Sequence, residues 1–313
     1  MSRAFVFPGQ GSQAVGMGKS LADAFPVARE TFEEVDDALN QKLYRLMTEG
    51  PEVELTLTEN AQPALMAVSM AVMRVLESEG GIDIADTAFC VAGHSLGEYS
   101  ALAAARSFSL PDAARLLRIR GQAMQKAVPV GQGGMAALLG VGLEKAVEIA
   151  EAASQGEVCS PANDNGPDQV VLSGAAAAID RAVELAPDFG ARRAIPLQVS
   201  APFHCVLMAP AAEAMEKALA AVDIAPPMVP LVANVTAERC EEPGAIARQL
   251  VEQVTGLVRW RESVLAMKEY GVDTLVEIGA GKVLAGLTRR IDRELSAVSV
   301  SDPEGVEAFL KSL

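Results

Sequence analysis

The sequence is short of the residues that several kinds of chemistry need. Its 313 residues include two histidines, His94 and His204, and four cysteines, Cys90, Cys159, Cys205 and Cys240. Two imidazoles leave few ligands for a catalytic zinc. Cysteines this scattered, with no C-x-x-C, encode neither a disulfide framework nor a zinc ribbon. Basic charge is also scarce: 26 Lys+Arg stand against 41 Asp+Glu, a formal net charge of −15. That argues against a nucleic-acid binder, which must neutralise phosphate, and against a protein that lies on anionic membrane. No apolar run approaches the ~20 residues that span a bilayer. The run at 4–8 is too short for a signal-peptide core. A soluble, cytoplasmic protein is expected.

What remains is globular: half the residues are hydrophobic and 21% are charged. The length suits one large domain or two smaller ones. Residues 4–7 read as a buried strand that stops at Pro8-Gly9 and runs into the polar loop Gly9-Gln10-Gly11-Ser12-Gln13. Helical spacing follows over 20–39. A long helix is expected over 61–79, capped by Asn60, with Pro63 in its first turn and Gly80-Gly81 at its end. Residues 88–92 form a second short apolar run, and 110–128 an arginine-bearing helix. Beyond Gly131 come a strand at 135–141, a helix at 143–153, a strand at 158–162, a turn at 163–168, a strand at 169–173, a helix at 175–189 and a strand at 194–199. That is the β-α-β-β-α-β order of a ferredoxin-like unit. Strands at 231–234 and 274–278 return to strand and helix alternation, the latter expected to be the last. The chain therefore divides into 1–128, the first part of a large α/β subdomain, 129–199, an inserted small one, and 200–313, the remainder of the large one.

The most informative string is Gly93-His94-Ser95-Leu96-Gly97. It fits G-x-S-x-G between an expected strand and helix, the context that lifts a serine hydroxyl out of a tight turn. The backbone N–H of Leu96, at a helix amino terminus, then points to where an oxyanion would form. A serine is a poor nucleophile until a base takes its proton. The side chain of His94 is expected to point away from that of Ser95, which leaves His204 as the base. No aspartate stands out to orient the imidazole, so a backbone or amide carbonyl is left for that task, in a Ser–His dyad. Arg120, in Arg118-Ile119-Arg120-Gly121, offers a planar fork suited to a carboxylate. Against this stands the ordinary reading that Arg115, Arg118 and Arg120 solvate a helix face. Cys205, beside His204, reads as packing.

These residues resemble the malonyl-CoA:acyl carrier protein transacylase family, the standalone acyltransferases of bacterial fatty-acid synthesis, and are similar to the acyltransferase domains of polyketide synthases. The resemblance rests on Phe7–Gln13, Gln62-Pro63-Ala64, the string from Gly93 to Tyr99, Arg120-Gly121, Gln169-Val170-Val171 and Ala201–His204. It implies an α/β, hydrolase-like core with a mostly parallel sheet and a ferredoxin-like insertion. It also implies Ser95 as the acylated nucleophile and His204 as base and then acid. The N–H groups of Gln10 and Leu96 would form the oxyanion hole, Arg120 would hold the malonyl carboxylate at the far wall of the cleft, and the main-chain carbonyl of Gln253 would orient the histidine. The family commonly has Asn-Pro after that glutamine, whereas Gly256-Leu257 stand here. Leu96 and Phe203 resemble the malonyl-selective pattern. The implied reaction is ping-pong transfer from malonyl-CoA to acyl carrier protein, with no metal or cofactor; nothing in the sequence demands a dimer, and a monomer is expected. Arg192-Arg193 and Arg289-Arg290 are candidate docking patches for the acidic carrier. The alternatives are service to a polyketide synthase, a serine esterase or thioesterase, and a silent scaffold.

Overall fold

The computed structural model describes residues 2–313; Met1, at the head of the first expected segment, lies outside them. Among the described residues, ten strands form two sheets. The larger sheet contains β1 (Arg3–Phe7), β2 (Cys90–Gly93), β7 (Leu231–Val232), β8 (Arg239–Cys240), β9 (Thr274–Ile278) and β10 (Ser296–Val300). The smaller contains β3 (Gly133–Leu139), β4 (Cys159–Gly166), β5 (Gln169–Ala175) and β6 (Arg193–Pro196).

The large sheet has the order β10-β9-β1-β2-β7-β8 and is parallel except for the β7–β8 pair. Parallel strands carry their connections as helices on both faces, so a central strand must be apolar on both sides. β1 obeys this rule. Phe5 and Phe7 join the core beneath the helix Thr58–Gly80, and Ala4 and Val6 join the opposite core around Trp260 and Val264. The polar loop after β1 and the turn after β2 therefore emerge side by side at the carboxyl end of the sheet, where open α/β sheets place their ligands.

The small sheet is antiparallel with the order β4-β5-β3-β6, the ferredoxin-like arrangement. One face, through Ala136, Leu138, Val170 and Leu172, packs on its own helices Leu143–Ser154 and Ala176–Leu185. The other face sends Met135, Ala137 and Val171 into the main core. β4 is also laced directly to the large subdomain, with Val258 N–H bonded to Ala162 O at 2.9 Å and Asp164 N–H to Val258 O at 2.9 Å.

Several local expectations give way to tertiary context. The helix expected at 20–39 is two helices, Lys19–Ala24 and Pro26–Leu39, because Pro26 starts a new one after extended Phe25. The long helix begins at Thr58 rather than 61, so Pro63 sits in its second turn. Asn60 is no cap: its amide donates to Glu54 O at 2.8 Å and accepts from Gln41 and Arg118. The turn expected at 163–168 is strand as far as Gly166, with irregularities at Pro161/Asn163 and Asp164/Gly166. β10 follows the strand expected to be last. Among the described residues, no helix is long and apolar enough to cross a membrane.

Candidate active site

β2 ends at Gly93 and the helix Gly97–Ala104 begins four residues later, so Ser95 occupies the tip of a strand-to-helix turn with φ 54°. The turn is tight enough that a Cβ at Gly97 would lie 2.2 Å from Phe7 O, and one at Gly93 would lie 1.9 Å from the Gly97 carbonyl. Only glycine fits at either place. The Ser95 N–H is held by Asn234 Oδ1 at 2.8 Å, and Asn234 Nδ2 bonds back to Gly93 O at 2.6 Å. The elbow is thus pinned from the end of β7.

Ser95 Oγ stands 2.7 Å from His204 Nε2. The other ring nitrogen, Nδ1, lies 2.7 Å from Gln253 O. A carbonyl only accepts, so Nδ1 carries the proton and the lone pair of Nε2 faces the hydroxyl. His204 is 3% exposed and has φ 58°, so both members of the pair sit in the left-handed backbone region that side chains rarely adopt. Burial, reinforced by the positive charge of Arg120, pushes the His204 pKa down to about 3, and the Gln253 carbonyl opposes this only in part. The imidazole is therefore neutral, and able to accept a proton, at any ordinary pH. His94 points elsewhere, its Nε2 2.8 Å from Asn165 Oδ1 and its ring beside Trp260.

Arg120 is not at the far wall of the cleft. It lies directly behind Ser95, 1% exposed, with Nη2 donating to Ser95 Oγ at 3.2 Å and to Gln253 Oε1 at 2.8 Å. Nη1 donates to Gln62 Oε1 at 2.8 Å, and the guanidinium carbon sits 5.7 Å from the Tyr99 ring centroid. Helix packing delivers this contact. A Cβ on Gly121 would come 2.5 Å from Glu59 Cα, so the helix Leu110–Ala127 approaches the helix Thr58–Gly80 closely enough for Arg120 to meet Gln62. Its neighbours differ as expected for Arg115, which is at the surface beside Asp112. Arg118, by contrast, is partly buried against Asn60 and Glu59.

Gln253 contributes twice. Its main chain orients His204, and its side chain links Arg120 to the elbow, with Nε2 donating to Ser95 O at 2.9 Å and to Glu98 Oε2 at 2.5 Å. Gly256, where the family motif differs, is extended after the helix Pro243–Thr255. Gln10 leaves β1 and is anchored through its amide to Thr58 Oγ1 at 3.2 Å. Among the described residues no acceptor takes the N–H of Gln10 or of Leu96. The cleft above these groups holds about 320 Å³ and is walled by Met135, Leu197 and Phe203 as well as Gln10, Ser95 and His204. A larger hollow of about 520 Å³ runs along β10 and contains none of them. Cys205 is buried, donates to Pro202 O, and has its thiol pKa raised by burial.

Sequence reasoning missed Glu98 and Asn234 as members of this network. Glu98 lay inside the quoted string, but a helix position gives no sign of burial. Asn234 closed an expected strand and carried no signal of its own.

Residues 4–301 match the family described as acyl transferase domain. The chain is 47% identical over 311 residues to the malonyl CoA-acyl carrier protein transacylase of Bacillus subtilis (strain 168), a match covering 99% of this chain and 96% of that one. The crystal structure of acyl-carrier-protein-S-malonyltransferase from Bartonella henselae superposes with a TM-score of 0.97 at 55% identity, over 100% of this chain and 99% of that one. A malonyl-transacylase in complex with a type II PKS acyl-carrier protein also superposes with a TM-score of 0.97, at 43% identity and complete coverage of both chains.

Proposed function

This chain belongs to the acyl transferase domain family, and we infer that it moves malonyl groups from malonyl-CoA to acyl carrier protein in fatty-acid synthesis, as an [acyl-carrier-protein] S-malonyltransferase. The observation that carries the mechanism is one oxygen with two partners: Ser95 Oγ is 2.7 Å from the His204 base and 3.2 Å from the Arg120 guanidinium.

In the first half-reaction Ser95 Oγ attacks the thioester carbonyl while its proton passes to His204 Nε2. The oxygen that gains charge is received by the N–H groups of Gln10 and Leu96. Collapse breaks the carbon–sulfur bond, and the coenzyme A thiolate leaves with the proton from His204. The second half-reaction reverses these steps, with the carrier protein's pantetheine thiol as nucleophile and the malonyl-serine ester as acyl donor. Gln253 O holds the imidazole in the required tautomer throughout, and the Gln253 carbonyl suffices where other serine enzymes use a carboxylate.

Arg120 receives the free carboxylate of the malonyl group. A neutral acyl tail would leave that buried charge without a substrate partner, and this difference supports selection of malonyl over acetyl. The carboxylate has a second effect. Arg120 lowers the basicity of His204, so an anion seated on Arg120 restores some of it. Phe203 bounds the space beside the acyl chain, while Leu96 packs in the core and offers its N–H. Both substrates place the enzyme in the cytoplasm. The proposed state is a monomer in which 129–199 forms the small subdomain over the cleft.

The test is mass spectrometry of the protein mixed with malonyl-CoA. A malonyl adduct should form on Ser95 and be discharged by holo acyl carrier protein without release of free malonate. No adduct, or malonate in place of malonyl carrier protein, would overturn the assignment. Presenting carriers from fatty-acid and polyketide synthesis in parallel identifies the partner.

A further inference from the structure

Arg120 is buried, yet among the described residues its side-chain partners are Gln62, Ser95 and Gln253, and no carboxylate pairs with it. Its nearest counter-charge is one amide away. Glu98 is 1% exposed on the helix Gly97–Ala104 and accepts from Gln253 Nε2 at 2.5 Å and from Asn234 N at 3.3 Å. The opposite end of the same Gln253 amide accepts from Arg120 Nη2. An anion and a cation thus face each other across one glutamine side chain, and neither touches the other.

That spacing has a specific effect. A carboxylate in direct contact with Arg120 would occupy the fork a substrate acid must enter. With no anion nearby, the empty pocket would carry a bare buried cation and capture any small carboxylate in solution. Placed one amide away, Glu98 offsets the charge without itself entering the fork, whose partners at rest are neutral groups: Gln62, Gln253 and the Ser95 hydroxyl. We propose that Glu98 is a positioning residue that sets how tightly the acyl pocket holds an acid end, by balancing Arg120 through Gln253 so that free carboxylates are refused between turnovers. This rests on the assignment of Arg120 to the malonyl carboxylate.

The groups facing Glu98 are Arg120 from the helix Leu110–Ala127, Gln253 from the helix Pro243–Thr255, Asn234 after β7, Tyr99 beside it and the Cys240 thiol of β8. Burial raises the Glu98 carboxyl pKa to about 7, against the pull of Gln253, Asn234 and Arg120, so the balance shifts within a range an experiment can cover. An amide at position 98 could not accept from both Gln253 and Asn234, and it would carry no charge.

The probe is monomethyl malonate, which has the acid end beside an ester and stays ionised at neutral pH. Its competitive inhibition of malonyl transfer is measured for the wild type and Glu98→Gln. At pH 8, where Glu98 is mostly ionised, removal of a unit charge this close to the fork strengthens inhibition about tenfold at an effective dielectric near 20. In the wild type, inhibition strengthens as pH falls from 8 to 6; in Glu98→Gln it stays flat. A merely structural role would weaken the probe or leave it unchanged, and either result overturns the proposal. If the variant fails to fold, the wild-type pH series decides alone: a flat Ki sinks the idea. Absence of any malonyl adduct in the wild type would instead overturn the function, a separate and visible failure.

Discussion

His204 Nδ1 and the main-chain oxygen of Gln253 lie 2.7 Å apart, so a peptide group, not a carboxylate, holds the imidazole that faces Ser95. A neutral acceptor fixes the tautomer without placing a negative charge beside the ring. With burial and Arg120 both favouring the neutral form, His204 remains a base well below the ordinary histidine range.

The first prediction concerns pH. Because the folded pKa of His204 lies near 3 and the unfolded value near 6.5, the rate of acyl-enzyme formation from acetyl-CoA should show no acid limb at 6.5. The sign for stability is opposite to that of a salt-bridged histidine. Between these values the unfolded chain binds the extra proton, so this group destabilises the fold as pH falls from 6.5 towards 3. Rapid-quench acylation at pH 5.5 to 8 and melting curves over the same range check both statements.

Arg120→Ala should lower kcat/KM for malonyl-CoA about a hundredfold, in line with truncating one partner of a buried charged contact. Transfer of acetyl should improve relative to malonyl. Unchanged malonyl kinetics would remove Arg120 from substrate recognition.

Gln253→Ala separates the two tasks of that residue. The carbonyl stays on His204, while Arg120 and the Ser95 carbonyl lose a partner. Malonyl transfer should fall about tenfold, with a rise in KM, the size expected for one hydrogen bond to a charged group. Acetyl transfer should change less, as donor-by-donor kinetics would reveal.

Gly97→Ala should abolish soluble, active protein, since its Cβ would meet the Phe7 carbonyl where backbone cannot yield. Thermal melts and yield provide the readout. Wild-type stability in this variant would mean the turn is looser than described.

Asp164→Asn probes the junction of the subdomains. The Asp164 side chain is fully buried and Arg261 Nη2 is 2.8 Å from it, while Arg261 itself is 29% exposed. Partial exposure screens the pair, so the loss should be about 2 kcal/mol, less than for a fully buried pair. Calorimetry and limited proteolysis of the 129–199 segment would measure it.

Much of this arrangement is legible in the sequence, and the rest fails for identifiable reasons. β1 and β2 are visible because two-sided burial makes them uninterrupted apolar runs. Ser95 stands out because the turn requires glycine at 93 and 97. Gln253 was assigned only through resemblance, since a main-chain carbonyl has no residue signature. β4 runs through Asn163-Asp164-Asn165-Gly166, residues that favour turns, because pairing with β5 and with Val258 overrides local preference. β10 escaped notice because an edge strand reading Ser-Ala-Val-Ser-Val lacks the continuous apolar character of a central one. Glu98 was hidden for the opposite reason: an acidic residue in a first helical turn is ordinary until its surroundings are seen to be dry.

The bond from Arg120 Nη2 to Ser95 Oγ means that the resting alcohol is tethered by the hand proposed to greet the cargo. On that proposal a malonyl group loosens the tether on arrival, because its acid end offers Nη2 a stronger grip. An acetyl group offers none and meets an alcohol still tied back. Recognition of the cargo and arming of the attacking oxygen are then a single event, and a wrong thioester is disadvantaged before any bond is made.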